Sequence, residues 1–465
     1  MLKIFAQTRL LIFMVVILST TLSISTYAAN EAMMDLLKIL HDKGSLTKEE
    51  FSMLQKAAMA EEQKTTESTT ALDQKVEEVA SSRPRVTTAG KFKVESQDGD
   101  YSFQPIGRIF WDSVWEDNDG SSAIAGGSEL RRARMGFEAK IYKHWSAKVE
   151  YDFSGSDADL KDGWIAYSNL TAGETKYNIK VGQHHVPFGF NTTSSSKYMS
   201  FLRRPLFADG PLSPARQYGA AVRLDGKRWL IHAGGFLGEP GDGAVNVDAA
   251  NEDARTLAIR VAGTPLKLDK THLLHLGASY MNINLRGDAL RVRQHAISHI
   301  DTSRLFDTGT FANGVIDDIN AYDLEALAIW GPFHVLGEYV LWDMDNNSNG
   351  ANDLSGWSFE AGWYLTGESM KYKGGQFSGV SPKQEFLNGG YGAWQLVTRY
   401  ESMDLNDGVT MGGDGDVFSV GLNWLPVKNI RLMASYNKLV NFKQPGNAND
   451  GLHPSSFSVR SMVYW

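Results

Sequence analysis

The chain contains no cysteine in 465 residues. That excludes a disulfide framework, a thiolate metal site and a cysteine nucleophile together. Proline is sparse, with 13 residues against 45 glycines, and aromatics reach 11%. This balance suits many strands and turns better than a helical bundle. An excess of positive charge is also missing: the net charge is −8 and the pI about 5.8. Nothing in the whole-chain charge calls for nucleic acid as a partner. Neither a Walker A pattern nor a G-x-S-x-G motif occurs, so the usual sequence signs of a P-loop nucleotide enzyme or a lipase-like hydrolase are lacking. Past Leu18, no stretch approaches the roughly 18 continuous apolar residues of a membrane-spanning helix.

What is present starts with an export signal. Lys3 and Arg9 precede the apolar run Leu10 to Leu18, and "TYAA" follows. A basic start, a short apolar core and small residues at its end predict a signal peptide over 1–28, cleaved after Ala28. Residues 29–85 have helical character. Met33, Leu36, Leu37 and Leu40 share one helical face that stops at Gly44, and Thr47 with Glu50 forms a capping box. "EEQKTTESTT" (61–70) reads as a linker, and Leu72, Val76 and Val79 then form a short stripe of coiled-coil type. This region is expected to be a periplasmic appendage that either contacts the cell wall or a partner or serves as a spacer.

From residue 86 onward a different pattern takes over. "HWSAKVEYDF" (144–153) places Trp145, Ala147, Val149, Tyr151 and Phe153 on one parity, opposite Ser146, Lys148, Glu150 and Asp152. Successive strand residues point to opposite faces, so this strand has one oily and one charged face. "ARMGFEAKI", "WSFEAGWYLT" and "FSVGLNWL" repeat the pattern, and about sixteen such segments are predicted. Tight turns join some of them (224–228 and 426–429), whereas 284–318 and 343–355 read as long polar connections. The charged parity carries Arg132, Arg134, Lys148, Glu150, Asp152, Lys180, Arg223, Arg260, Glu360, Arg399 and Arg431. The oily parity carries tryptophans and tyrosines near strand ends, as at a bilayer interface. The last strand has apolar alternation and ends on Trp465. The expected fold is therefore all-β: a transmembrane antiparallel barrel of about sixteen strands behind a short helical segment.

Several stretches together carry a family likeness. "LRRARMGFEAKIYKHWSAKVEYDF" (130–153), "VGQHHVPFGFNTTSSSKYMSFLRR" (181–204), "GAWQLVTRYESMDL" (392–405) and "GLNWLPVKNIRLMASY" (421–436) resemble the phosphate-selective porin O and P family. The resemblance implies a trimeric, sixteen-stranded outer-membrane porin with a constricted, anion-preferring pore. In some members the solute is phosphate or pyrophosphate. An arginine ladder toward the outside and lysines near the constriction are implied with it.

Carried over by position, the arginine pair becomes Arg131 and Arg132, and parity puts Arg134 beside Arg132. Arg132 points inward by parity, and Arg131 lies at the outer edge of the same strand. The lysine of the inward-folded loop becomes Lys197, followed by Arg203 and Arg204. Arg291 and Arg293 resemble ladder rungs pointing one way. Asp162 takes the place of an acidic pore residue, and Lys91 and Lys93 match an early lysine pair. Ser146 and Gln376 stand where phosphate-selective members tend to carry basic residues. The resemblance thus implies anion preference and leaves phosphate against other anions open.

The partners so implied are small anions, outer-membrane lipid and two further copies of the chain, with no cofactor. His184 and His185 are adjacent on a strand and cannot chelate one metal together. "DMDNNSNG" (343–350) echoes a calcium loop but lacks the glycine and the closing glutamate. A barrel acting as an anchor or adhesin, or a barrel phospholipase, is the alternative; the anchor would have a plugged lumen.

Overall fold

The structure, a computed structural model, describes residues 32–465 except 89, 120–125, 209, 211, 239–253, 302 and 348–351. The expected signal peptide lies outside the described residues. The chain divides between Pro84 and Arg85 into two units.

In the first unit, residues 32–42 form helix α1, and Gly44 follows at φ +68°. Helix α2, Lys48–Ser82, opens on a formed capping box: the Glu50 N–H donates to the Thr47 hydroxyl, and the Thr47 N–H donates to the Glu50 carboxylate at 2.9 Å. The stretch 61–70 is not a linker but the middle of α2. The hydroxyls of Thr65, Thr66, Thr69 and Thr70 donate to carbonyls four residues back, so they find partners within the helix. Leu72, Val76 and Val79 are exposed.

The second unit is the barrel. Its wall begins with β1 (Ser102–Asp117), β2 (Gly127–Ile141), β3 (Trp145–Asp152) and β4 (Asp159–Ala172). It continues through β5 (Thr175–His185), β6 (Arg216–Asp225), β7 (Trp229–Leu237) and β8 (Arg255–Lys267). The second half comprises β9 (His272–Asn284), β10 (Ile316–Trp330), β11 (Phe333–Asn346) and β12 (Asn352–Tyr364). It ends with β13 (Ala393–Asp407), β14 (Thr410–Val427), β15 (Ile430–Lys443) and β16 (Ser455–Tyr464). Each strand pairs antiparallel with the next, and β16 pairs with β1 from Ser455↔Asp117 to Tyr464↔Arg108. The sheet is a closed sixteen-stranded antiparallel barrel. Every segment predicted from alternation is a strand.

At the closing seam, Trp465 and Gly107 exchange backbone hydrogen bonds of 3.1 and 3.3 Å. The indole lies on Gly107, where a Cβ would meet the ring at 2.2 Å. Glycine is required there by contact, not by backbone angle.

Most connections at the end holding both barrel termini are tight, such as 173–174, 226–228, 331–332 and 428–429, with Gly173 and Gly331 at positive φ. The connection 365–392 is the long exception at that end. The opposite end carries the long segments 186–215 and 285–315. The connection expected over 343–355 shrinks to 347–351, because β11 and β12 extend into it. Asp343 and Asp345 therefore sit in a strand, and residues 348–350 of the calcium-like stretch lie outside the described residues.

Aromatic side chains form two outward belts. Near the tight turns, Trp145 contacts Tyr167, Phe333 contacts Trp363, and Trp394 contacts Trp424. Toward the other end, Tyr280 contacts Tyr322, Trp357 contacts Tyr400, and Phe457 contacts Trp115. These amphipathic rings suit the two boundaries of a bilayer.

The interior is divided. On β9 to β15 the inward parity carries an apolar set, with Met281, Ile283, Val340, Trp342, Met344, Leu354, Met403 and Leu439 all buried, beside buried polar groups such as Glu325, Glu338, Glu360, Arg399 and Arg431. Phe188, Leu206, Phe207 and Leu212 of segment 186–215, and Leu290, Val292, Ile297 and Phe306 of segment 285–315, pack on them. The Trp342 indole N–H also donates to the Leu212 carbonyl at 2.8 Å. From the other end, Met370, Phe377 and Val380 of 365–392 pack with Phe190, Leu327 and Leu336. Burying each such side chain is worth about 1.5–3 kcal/mol. The loops are therefore held inside the barrel against one wall.

The seam generates a test. Deleting Trp465 should impair insertion, and Gly107→Leu should impair it as well, because the side chain would occupy the space of the indole. The readout is heat-modifiable electrophoretic mobility, compact before boiling and slower after it. Full modifiability in both variants would show that barrel closure does not need this contact.

Candidate functional site

On β1 to β8 the charged parity lines the open part of the lumen, although Phe110, Ala221, Phe236 and Ala258 join the apolar packing. Strict alternation is broken within that wall three times, between β1 and β2, between β3 and β4, and between β4 and β5 at Tyr167/Leu170. Between β1 and β2 the register runs Phe110↔Arg132 and then Trp111↔Leu130, so Arg131 is an extra residue. Between β3 and β4 it runs Glu150↔Asp162 and then Tyr151↔Leu160, so Lys161 is extra. A β-bulge of this kind re-aims the side chains around it. Arg131 is the extra residue of the first bulge. It lines an outer cavity of ≈ 320 Å³ together with Arg132, Arg134, Lys161, His295 and Arg304.

Below it lies a middle cavity, also ≈ 320 Å³. It is lined by nine cationic side chains (Arg108, Arg132, Arg134, Lys148, Lys180, Arg204, Arg216, Arg223, Arg260) and two carboxylates, Glu138 and Asp162. Many of these cations are already engaged. Arg108 meets Glu150 at 2.7 Å, Arg134 meets Asp152 at 2.8 Å, and Lys148 and Arg216 meet Asp162 at 2.9 and 3.4 Å. Arg260 meets Glu325 at 2.7 Å. Asp162, predicted from the family pattern, is thus the common counter-charge of two cations. Lys91 and Lys93 line a third cavity at the tight-turn end with Lys140 and Glu138, and Lys93 bonds Glu95 at 2.9 Å.

Segment 186–215 is fixed by a buried carboxylate. Glu338 accepts the N–H groups of Phe190 and Asn191, each at 2.9 Å. Gly189 sits at φ +71°, and a Cβ on it would meet Glu338 at 2.6 Å, so the close approach demands glycine. Asp323, Glu325 and Glu338 lie together, but Arg260, His275 and the loop's own N–H groups already take most of their oxygens.

The remaining candidates separate. Arg203 meets Glu401 at 2.6 Å, and Glu401 also accepts the Leu206 N–H at 2.8 Å, so Arg203 fastens the loop to β13. Arg204 donates to the carbonyls of Asn191 and Ser194 at 2.8 and 2.7 Å while lining the middle cavity. Arg291 is bound to Asp307 across the small hairpin Arg293–Gln294/Phe306–Asp307. Neither Arg291 nor Arg293 lines the outer, middle or turn-end cavity.

Lys197 is half-buried, with its Nζ 5.7 Å from the ring centroids of Tyr198 and Tyr464. No carboxylate lies within ion-pair distance of it among the described residues. Burial, with the Arg108 and Lys148 cations nearby, pushes its ammonium down to about 8. Burial likewise pushes His295 down to about 3, so that imidazole is neutral at neutral pH.

Sequence reasoning missed Arg108, Lys161, Arg304 and His295 as lining groups. Arg108 shares parity with Gln104 and Asp112 in a predicted strand, so its signal was available. Lys161 needed the bulge, and Arg304 and His295 needed the inward fold of their loop.

A model of the phosphate-selective porin O and P family matches residues 103–465. The chain belongs to that family. It is 30% identical over 373 residues to a protein of Caulobacter vibrioides named only as uncharacterized, covering 77% of this chain and 72% of that one. In fold this porin is similar to a loop-deletion mutant of OmpT, an outer membrane protein of Vibrio cholerae. The TM-score is 0.51 at 13% identity, over 79% of this chain and all of the other. An anion-selective porin from Comamonas acidovorans gives a TM-score of 0.49 at 12% identity, over 78% of this chain and all of that one. The porin is an outer-membrane channel of a Gram-negative bacterium.

The lysine supplies a pH test. Lys197 is charged below pH 8 or so and neutral above it. Permeability for anions over cations should therefore fall as pH rises from 7 to 9, and Lys197→Met should reduce that step. Reversal potentials in a salt gradient at each pH measure it; a wild-type ratio that stays flat would place Lys197 away from the ion path.

Proposed function

We propose that this porin is a water-filled diffusion channel that prefers anions, with no catalytic step. The observation that carries the reading is the overlap of the cavities along β1 to β8. Arg132 and Arg134 line both the outer and the middle cavity, and Glu138 and Trp164 line both the middle and the turn-end cavity. A route edged by cationic groups at each stage follows from that overlap. Protein walls of low dielectric focus the field of these charges, so a few of them govern which ions enter.

Arginine suits an oxyanion such as phosphate or polyphosphate, because its planar fork donates two hydrogen bonds. Ser146 lines the turn-end cavity and Gln376 the middle one, both without charge. General anion preference therefore has more support than phosphate selectivity. A plugged anchor or adhesin would lack the overlapping cavities. We further propose a homotrimer in outer-membrane lipid, with residues 31–85 reaching periplasmic or cell-wall partners.

Planar-bilayer recording tests both parts. Lys197→Glu should lower anion over cation permeability severalfold, whereas Lys443→Glu, at the exposed end of β15, should change it little. An unchanged reversal potential in Lys197→Glu would remove that residue from the constriction. Deleting 31–85 should leave conducting channels; loss of trimers in that deletion would make the Leu72/Val76/Val79 stripe an assembly element.

A further inference from the structure

Within the middle cavity one aromatic side chain faces water-filled space instead of lipid. Trp164 lies on the inward parity of β4, opposite Lys148 of β3 and Gly182 of β5. Gly182 has φ +119°, and a Cβ there would meet the Gly163 carbonyl at 2.2 Å. No side chain therefore rises from β5 directly beside the indole. Trp164 is only partly buried and lines both the middle and the turn-end cavity, so every solute passing between them meets it.

The charge beside it is of a particular kind. The Lys180 ammonium sits 4.4 Å from the indole centroid, a cation–π contact that holds it at the ring. Among the described residues no carboxylate lies within ion-pair distance of Lys180, whereas neighbouring Lys148 is bound to Asp162 at 2.9 Å. The other groups nearby are the Arg223 guanidinium, already paired with Asp225 at 2.6 Å, the Glu138 carboxylate, the neutral amides Asn178 and Gln376, and the imidazole of His232. Where a purely inorganic-anion pore gains by adding cations, this stretch offers one uncommitted ammonium, hydrogen-bonding amides and an aromatic face.

We infer that Trp164 and Lys180 form a subsite for a planar organic monoanion of the aromatic carboxylate class, a reading that rests on the anion channel proposed above. The carboxylate meets Lys180 and the ring stacks on the free part of the indole. A space of ≈ 320 Å³ admits one such ring with its hydration.

The experiment is block of chloride current through the full-length protein in planar bilayers. The probes are benzoate, cyclohexanecarboxylate (similar size and charge, no flat π-face) and inorganic phosphate. Benzoate should block at lower concentration than cyclohexanecarboxylate. Trp164→Leu should raise the half-blocking concentration of benzoate roughly 3- to 10-fold relative to that of phosphate. Trp164→Phe should restore most of the difference, and Lys180→Gln should weaken both carboxylates. Equal block by the two carboxylates, or equal shifts for benzoate and phosphate in Trp164→Leu, overturns the subsite. Reversal potentials on the same channels separate the two readings: cation selectivity sinks the anion channel, while anion selectivity without a benzoate preference sinks the subsite alone. If Trp164→Leu fails to insert, the comparison of the two carboxylates on wild type and Trp164→Phe still decides.

Discussion

Everything in the barrel follows from one constraint: inside a bilayer, each strand N–H and C=O must find a partner on a neighbouring strand. An open sheet cannot meet it, since its two edges would face hydrocarbon. The pairing of β16 with β1 removes both edges. Once the ring is closed, the twofold alternation of strand side chains divides the sequence between lipid and lumen without further instruction. Seam contacts such as Trp465 on Gly107 therefore matter more than their size implies, because they lie where the last hydrogen-bond ladder must form.

The wall was legible from sequence because its signal is local. Segments such as 145–152 carry their lipid face and their lumen face in eight residues, and no distant contact is needed to read them. The interior was legible only in part. In "FHVLGEYVLWDM" both parities are mostly apolar, with His334 and Glu338 the polar members of the inward one, which hides whether that face meets water or protein. It meets protein: Val340 and Trp342 bury against Phe207 and Leu212, over a hundred residues away in sequence. Helix α2 was misread over 61–70 for a related reason, since a threonine-rich run looks like a loop until each hydroxyl is seen bonded to a carbonyl one turn back. The bulge at Arg131 shifts phase without any mark in the sequence pattern.

The covered half of the lumen and the open half depend on each other. Segments 186–215, 285–315 and 365–392 fill the space over β9 to β15 with apolar side chains. That filling leaves the polar wall of β1 to β8 as the aqueous side. The Glu338 carboxylate under Phe190 and Asn191 and Glu401 under Arg203 and Leu206 fix the loop from beneath. The width of the opening is thus set by the packed wall, while its charge is set by the bare one.

The paired state of the wall arginines bears on throughput. Arg108, Arg134 and Arg260 each already hold a carboxylate, so an arriving anion shares a guanidinium rather than taking a vacant one. Its gain on arrival is the difference between two similar contacts, and its barrier to departure is correspondingly low, because the resident carboxylate closes behind it. A ladder of vacant arginines would hold an anion tightly and turn over slowly. In the anion channel proposed above, built-in competitors would shorten the dwell time at each rung, so that residence falls while a preference for negative charge is kept.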